Sequence, residues 1–397
     1  MSSNKIWIWL LINVYLPSVI VAISRGILIT AIPLYLISIG FTPAQVGIGT
    51  SAIFIGTLIF DLPGGVMLRK ISERNLMRLS LAIITISTFL MYLYLNNTSV
   101  ILLALLFGGG RSLWLLSRRY VISYYLDYSM RGRASSFIGA SERIGTFIGP
   151  AIVAALIEVA SYREVFLFSF LISLTALVSM IPFKRFELPK ISVEEELIPS
   201  RKIYLSKGYL ISLSAIEFFV QGIRSSRLIL IPLLGKVLLN LPDSIVGIAL
   251  SISGALDVIG SYPAGIIIDR KGRSVSGLIS FGILAIGFIL LALSYNYLSF
   301  YIAAIIIGLG NGFSAGLLIT VGSDIGFSLG RKEGATFLAA WQFTGDIGSA
   351  SFPALIGGMA EVVPLPLLTV LIGVTSALLA LSINKAFKRI DSAIFGS

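Results

Sequence analysis

A chain of 397 residues with 12% charged and 56% hydrophobic side chains lacks the polar coat of a soluble fold, whose charged fraction is about 25%. It has no Cys, so disulfide and thiol chemistry are excluded, and no His, the commonest metal ligand and general base. The formal charge of +11 reads as the basic loops of a membrane protein, not as a nucleic-acid surface.

Apolar runs near 20 residues, the length a helix needs to cross a ~30 Å hydrocarbon layer, recur along the whole sequence. The predicted spans are about 6–37, 44–68, 76–95, 99–122, 134–158, 164–183, 208–236, 243–267, 275–294, 298–322, 335–359 and 364–384. The first run is too long for the apolar region of a signal peptide and reads as a retained helix. Thr42-Pro43 supplies a cap and a first-turn proline for the second span, and Leu241-Pro242-Asp243 does the same for the eighth. Asn96-Asn97 ends the third. Lys5, Arg69 to Arg78, Arg118 to Arg133, Lys184 to Lys207, Arg270 to Arg273, Arg331, Lys332 and Lys385 to Arg389 fall on one side. The other side holds little beyond Arg163 and Lys236. Both termini are therefore expected to be cytoplasmic.

The polar stretch 184–207, with Pro189, Pro199 and Glu194-Glu195-Glu196, reads as a cytoplasmic linker. It separates residues 1–183 from 208–397. The two parts repeat at an offset of about 200 residues: Ile32-Pro33-Leu34 with Ile231-Pro232-Leu233, Val46-Gly47-Ile48 with Val246-Gly247-Ile248, Pro63-Gly64-Gly65 with Pro263-Ala264-Gly265. Gly108 and Gly110 match Gly308 and Gly310, Arg131 matches Arg331, and Gly145 matches Gly345. The expected fold is an all-α membrane protein of twelve transmembrane helices in two pseudo-symmetric six-helix bundles. Repeated bundles of this kind are the architecture of rocking transporters.

After the eighth span the chain reads Gly265-Ile266-Ile267-Ile268-Asp269-Arg270-Lys271-Gly272-Arg273. This resembles the loop signature Gly-x-x-x-Asp-Arg-x-Gly-Arg of the major facilitator superfamily, at the position where that family carries it. With the six-plus-six repeat, the resemblance extends over essentially the whole chain. The first-half copy departs from it: Gly65 is kept, but Arg69 and Lys70 stand in place of the acid and its neighbour. Arg111 looks like the family's fourth-helix arginine, although Ser112-Leu113-Trp114-Leu115 departs from the usual continuation. Gly145-Thr146-Phe147-Ile148-Gly149-Pro150 resembles part of a proton-antiporter signature, without its later glycines, and Arg131-Gly132-Arg133-Ala134 looks like the drug-exporter branch. The resemblance implies a gate in which Asp269 approaches the start of the fifth span near Arg131 and Arg133. Across the pseudo-dyad it implies a reversed lock of Arg69 or Lys70 with Glu333.

Charges inside spans are costly and are functional candidates by default. Glu142 and Asp257, on small-residue faces of the fifth and eighth spans, are the first candidates for the transported proton, with Asp61 and Asp346 behind them. At about 100° per residue, Glu217, Gln221 and Arg224 fall within roughly 60° on the seventh span. With Arg25 and Arg111 they are the expected substrate-cavity residues. The alternative is internal pairing, Glu142 with Arg111 first. Asp324 is set aside because it lies near a helix end.

The leading functional reading is proton-coupled export of small molecules by alternating access. The alternative is an uptake symporter or organic-anion exchanger on the same fold. Without His, neither Ser-His hydrolysis nor a His-Glu-x-x-His metalloprotease is possible, and no phosphate-binding Gly-x-x-x-x-Gly-Lys loop is present. No enzyme activity, cofactor or metal is expected. The expected partners are a small-molecule substrate, protons and the bilayer of the plasma membrane, with no nucleic acid, and the expected state is a monomer.

Overall fold

The computed structural model describes residues 3–126, 128–180, 207–329 and 331–395. Among these residues every regular element is helical. Helix α1 (Ser3–Leu10) passes through a π-helical turn, Leu11–Tyr15, into α2 (Leu16–Ser38). Then follow α3 (Pro43–Lys70), α4 (Glu73–Leu93), α5 (Asn97–Tyr125), α6 (Tyr128–Ile157) and α7 (Tyr162–Ser179). The later part contains α8 (Lys207–Leu233) with a π-helical end Leu234–Leu238, then α9 (Asp243–Ala292), α10 (Tyr297–Ser314), α11 (Leu317–Ser328), α12 (Arg331–Met359) and α13 (Leu365–Phe395). The expected linker lies, but for Lys207, outside the described residues.

Ten helices among the described residues are long and apolar enough to cross a membrane. One of them, α9, carries two of the predicted spans, because the chain bends at Gly272 (φ 90°, ψ 172°) without a loop. Only glycine adopts this conformation readily. Helix α12 is of spanning length but is not among the ten, since its charged first turn, Gln342 and Asp346 interrupt its apolar character. The tenth predicted span is broken after Ser314, so α10 and α11 share it. The expected twelve is reached only by counting α9 twice and including α12.

The chain divides into two compact units: Met1–Leu36 with Ala52–Glu196, and Ile37–Ser51 with Leu197–Ser397. This differs from the sequence division by residues 37–51. In the second unit, Gly47 sits against the backbone of Pro353 and Gly357 on α12. The Glu361 carboxylate accepts a hydrogen bond from the Ala44 N–H at 2.9 Å, satisfying a free donor of the first turn of α3. That N–H, with the Thr42 hydroxyl, holds the Glu361 carboxyl below the usual range.

The 200-residue repeat reappears as the same local contacts within each unit. Asn96 caps α5 by accepting from the Ser99 N–H at 3.0 Å, and Asn296 caps α10 by accepting from the Ser299 N–H at 2.9 Å. Gly108 lies on the Ile53 carbonyl and Gly308 on the Ser253 carbonyl. A Cβ at Gly110 would stand 3.0 Å from the Ser80 carbonyl oxygen, and one at Gly310 3.1 Å from that of Ser280. Small residues let these helix backbones approach where lipid supplies no hydrophobic drive between them.

Candidate functional site

The first unit holds a charge cluster built on α2, α5 and α6. Glu142 of α6 accepts from Arg111 at 3.0 Å and from Arg118 at 2.8 Å, both on α5. The Arg25 guanidinium of α2 stands 3.9 Å from the same carboxylate and 5.8 Å from the centre of the Phe54 ring. Arg111 and Arg118 are seven residues apart, about two turns, so both project from one face of α5. Three guanidinium groups thus meet one carboxylate. Arg111 keeps a buried Nε, and Arg118 a buried Nε and Nη1, with no hydrogen-bond acceptor among the described residues. Asp61 accepts from the Ser112 hydroxyl and lies near enough to Arg111 for the two charges to interact.

Arg118 has a partner that the sequence reading did not assign to it. Grouped by sequence with the cytoplasmic-side charges, at the end of the fourth predicted span, it has a side chain 2% exposed and ion-paired with Glu142 inside the unit. Its phase with Arg111 was the available signal.

The second unit distributes its charges differently. Glu217, 3% exposed on α8, accepts from the Gln221 amide at 3.1 Å, and the Gln221 oxygen accepts from Arg224 at 3.5 Å. Arg224 also donates to the Asn311 side-chain oxygen of α10 at 3.3 Å. The helical phase of Glu217, Gln221 and Arg224 therefore produces a connected row. Asn311 was not singled out from the sequence, although the repeat marks it: it occupies the place of Arg111 in the other half.

Asp257 of α9, 4% exposed, pairs with Arg227 at 3.1 Å, and Arg227 also donates to the Ser253 hydroxyl at 3.2 Å. Asp346 accepts from Gln342 at 3.4 Å on α12. Of the four candidate proton carriers, Glu142 and Asp257 are ion-paired with arginine.

The signature loop has a local explanation within the second unit. The Asp391 carboxylate of α13 accepts from the backbone N–H groups of Arg273 and Ser274 at 2.8 and 2.9 Å, capping the helix that restarts after Gly272. A Cβ on Gly272 would stand 2.6 Å from that carboxylate. The Arg273 guanidinium pairs with Asp324 at 2.9 Å, so the acid set aside as a helix-end residue anchors the loop. Asp269 and Arg270 are exposed, and nothing crowds Gly265. Arg69 and Lys70 end α3, and Glu333 lies in the first turn of α12. The Arg131 and Arg133 side chains lie outside the described residues.

The sequence matches the family model of the Major Facilitator Superfamily over residues 14–353. No curated protein sequence matches it. Among solved structures, it resembles a POT family transporter in complex with a thioalcohol-conjugated peptide. The TM-score is 0.77 and the identity 12%, covering 93% of this chain and 94% of that one. A nucleoside transporter, NupG, aligns at TM-score 0.70 and 16% identity over 94% of this chain and 99% of that one. A bacterial homolog of the human lysosomal transporter Spinster aligns at TM-score 0.69 and 15% identity over 99% of this chain and 96% of that one. Matched by the family model over most of its length and sharing its fold with solved transporters nearly end to end, the chain belongs to the major facilitator superfamily and is a secondary transporter, not an enzyme.

Proposed function

We propose that this transporter moves a small organic anion together with protons by alternating access. In this reading it works as a monomer in the plasma membrane, with both termini cytoplasmic. The observation that carries the reading is the arginine surplus at membrane depth. Arg25, Arg111 and Arg118 all approach the single carboxylate of Glu142, and Arg224 rests on two neutral amides. Uncompensated cations in spanning segments are expensive unless they serve a substrate, and an anion offsets that cost. An inside-negative potential opposes anion entry by about 2.3 kcal/mol per charge per 100 mV, and a proton carried with the anion removes that opposition. The test is uptake by proteoliposomes of a panel of labelled mono- and dicarboxylates. An external acid pulse should drive accumulation of at least one anion and of none of the matched organic cations. Accumulation of cations instead, or indifference to the pulse, would refute it.

A second reading, proton-coupled export, is supported by the resemblance of Gly145 to Pro150 to the antiporter signature. It predicts the opposite sign: substrate loaded inside should leave faster when the outside is acid.

The cytoplasmic gate of this cycle is proposed to include an ion pair of Arg69 or Lys70 with Glu333. Glu333→Lys should favour the state open to the cytoplasm, and Arg69→Glu added to it should partly restore the balance. Spin-label distances across the cytoplasmic ends would read this, and purely additive effects would remove the pair from the mechanism. Since exposed pairs contribute up to about 1 kcal/mol, the expected population change is several-fold.

A further inference from the structure

We propose that Glu217 is the proton-binding carboxyl of the transport cycle and that Arg224 receives the negative charge of the substrate, the two coupled through Gln221 within the second unit. The inference rests on the reading of anion transport with protons and assigns its two ligands to named atoms.

The acids inside the spans differ in their company. Glu142 meets three arginines, Asp257 meets Arg227 and Asp324 meets Arg273. Glu217 is as buried as Asp257, yet no Lys or Arg nitrogen lies within 4.0 Å of it among the described residues. Its Oε1 accepts one hydrogen bond, from Gln221, and its buried Oε2 has no hydrogen-bond partner among the described residues. A buried carboxylate in this position is badly served: it needs a cation or several donors to repay its lost hydration. A protonated carboxyl needs far less. An acid held firmly by arginine cannot easily bind and release a proton in each cycle, whereas Glu217 can.

The surroundings fit this role. Helix α12 presents Gly345 to the carboxyl, and a Cβ there would stand 2.6 Å from Oε1. The seat is therefore shaped by the backbone of a second helix, and a relative shift of α8 and α12 would alter it. The charged groups near enough to act on Glu217 are Arg224 on its own helix and Asp346 on α12, which accepts from Gln342. Arg224 donates to the neutral oxygens of Gln221 and Asn311, and no acid lies within salt-bridge distance of it among the described residues.

Coupling follows from charge. With Arg224 bare, its positive field favours the carboxylate of Glu217 and the site releases a proton. An anion on Arg224 cancels that field, and the Glu217 carboxylate takes a proton from solution to become the neutral acid. Each ligand thereby raises the affinity for the other by the same factor, and the pair enters and leaves as a neutral unit.

The full chain in lipid, titrated while the infrared band of protonated carboxyl groups is recorded, tests this without any substrate. Wild type should show a titrating buried-acid band, and Glu217→Gln should lose it. Arg224→Gln imitates neutralisation by an anion and should move the midpoint to higher pH by about one unit or more. If Glu217→Gln does not fold, Glu217→Asp should retain the band at a displaced frequency and midpoint. A band that survives unchanged in Glu217→Gln, for instance one owned by Asp346, overturns the assignment. A midpoint indifferent to Arg224→Gln overturns the coupling. The liposome panel is a separate measurement. A Glu217 band that responds to Arg224, in a protein that moves no anion with protons, would leave this site standing and sink the proposed substrate class. Normal proton-driven accumulation by Glu217→Gln would do the reverse.

Discussion

Replacing Glu142 by Gln should yield a protein that is clearly less stable than the parent, and Arg118→Met added to Glu142→Gln should recover part of the loss. Glu142 is the carboxylate to which Arg25, Arg111 and Arg118 all come within 4.0 Å. Removing one partner of a buried pair costs about 3–5 kcal/mol, because the remaining charge is stranded without water. The Glu142 side chain retains 21% exposure, so some solvent screening persists, and a loss of about 2–3 kcal/mol is expected. Arg118 is the most buried of the three arginines, at 2% exposure, and its stranding dominates the cost. Methionine there fills a similar volume without a charge, hence the recovery. Thermal melts of the detergent-solubilised single and double variants check both parts. The competing expectation, that Glu142 carries the transported proton, predicts a normally stable Glu142→Gln that fails only in coupling. A single variant with the melting behaviour of the parent would therefore remove the structural role assigned here.

The sequence made the helices, the repeat and most charged positions legible, because each depends on local signals. Apolar length reports a span, Asn96-Asn97 reports a break, and a fixed offset pairs Gly108 with Gly308 without knowledge of what they touch. Partner choice was less accessible, since it depends on which faces meet. Glu142 with Arg111 was readable from depth alone, but Arg118 was read only as a cytoplasmic-side charge because a rule about the sidedness of charge competed with helical phase. Asn311 was invisible as a neutral residue, although it fills the place of Arg111 and changes an ion-pair site into an amide site. The bend at Gly272 was hidden for another reason. The motif Asp269 to Arg273 reads as a loop, whereas helix continues up to and immediately after the one left-handed residue. The partner that makes this possible, Asp391, is 118 residues away from Arg273 in sequence.

Gly145 and Gly139 lie on the same helix, and alanine at the two positions should have opposite consequences. A Cβ at Gly145 would overlap the Ala22 carbonyl group and stand 2.8 Å from the Ala22 Cβ, on the backbone of α2. Gly149, four residues on, rests on Gly26 in the same way, and Gly26 on Gly145. A clash with backbone cannot be relieved by rotating a side chain, so α2 and α6 must separate. Overpacking of this kind costs about 1–3 kcal/mol for one methyl group, and Gly145→Val should prevent recovery of folded protein. At Gly139 a Cβ meets nothing within 4 Å, and alanine there should be neutral or stabilise by up to about 1 kcal/mol through helix propensity. Melting temperatures of Gly145→Ala and Gly139→Ala relative to the parent decide the point, and equal shifts would refute it. The outcome also bears on the direction of transport. Gly145 and Gly149 belong to the stretch that resembles an antiporter signature, yet in the first unit they are required by the approach of α6 to α2. A packing requirement would keep these glycines in an importer as readily as in an exporter. The charges of Glu217 and Arg224, not the glycines, are therefore where the direction of coupling has to be sought.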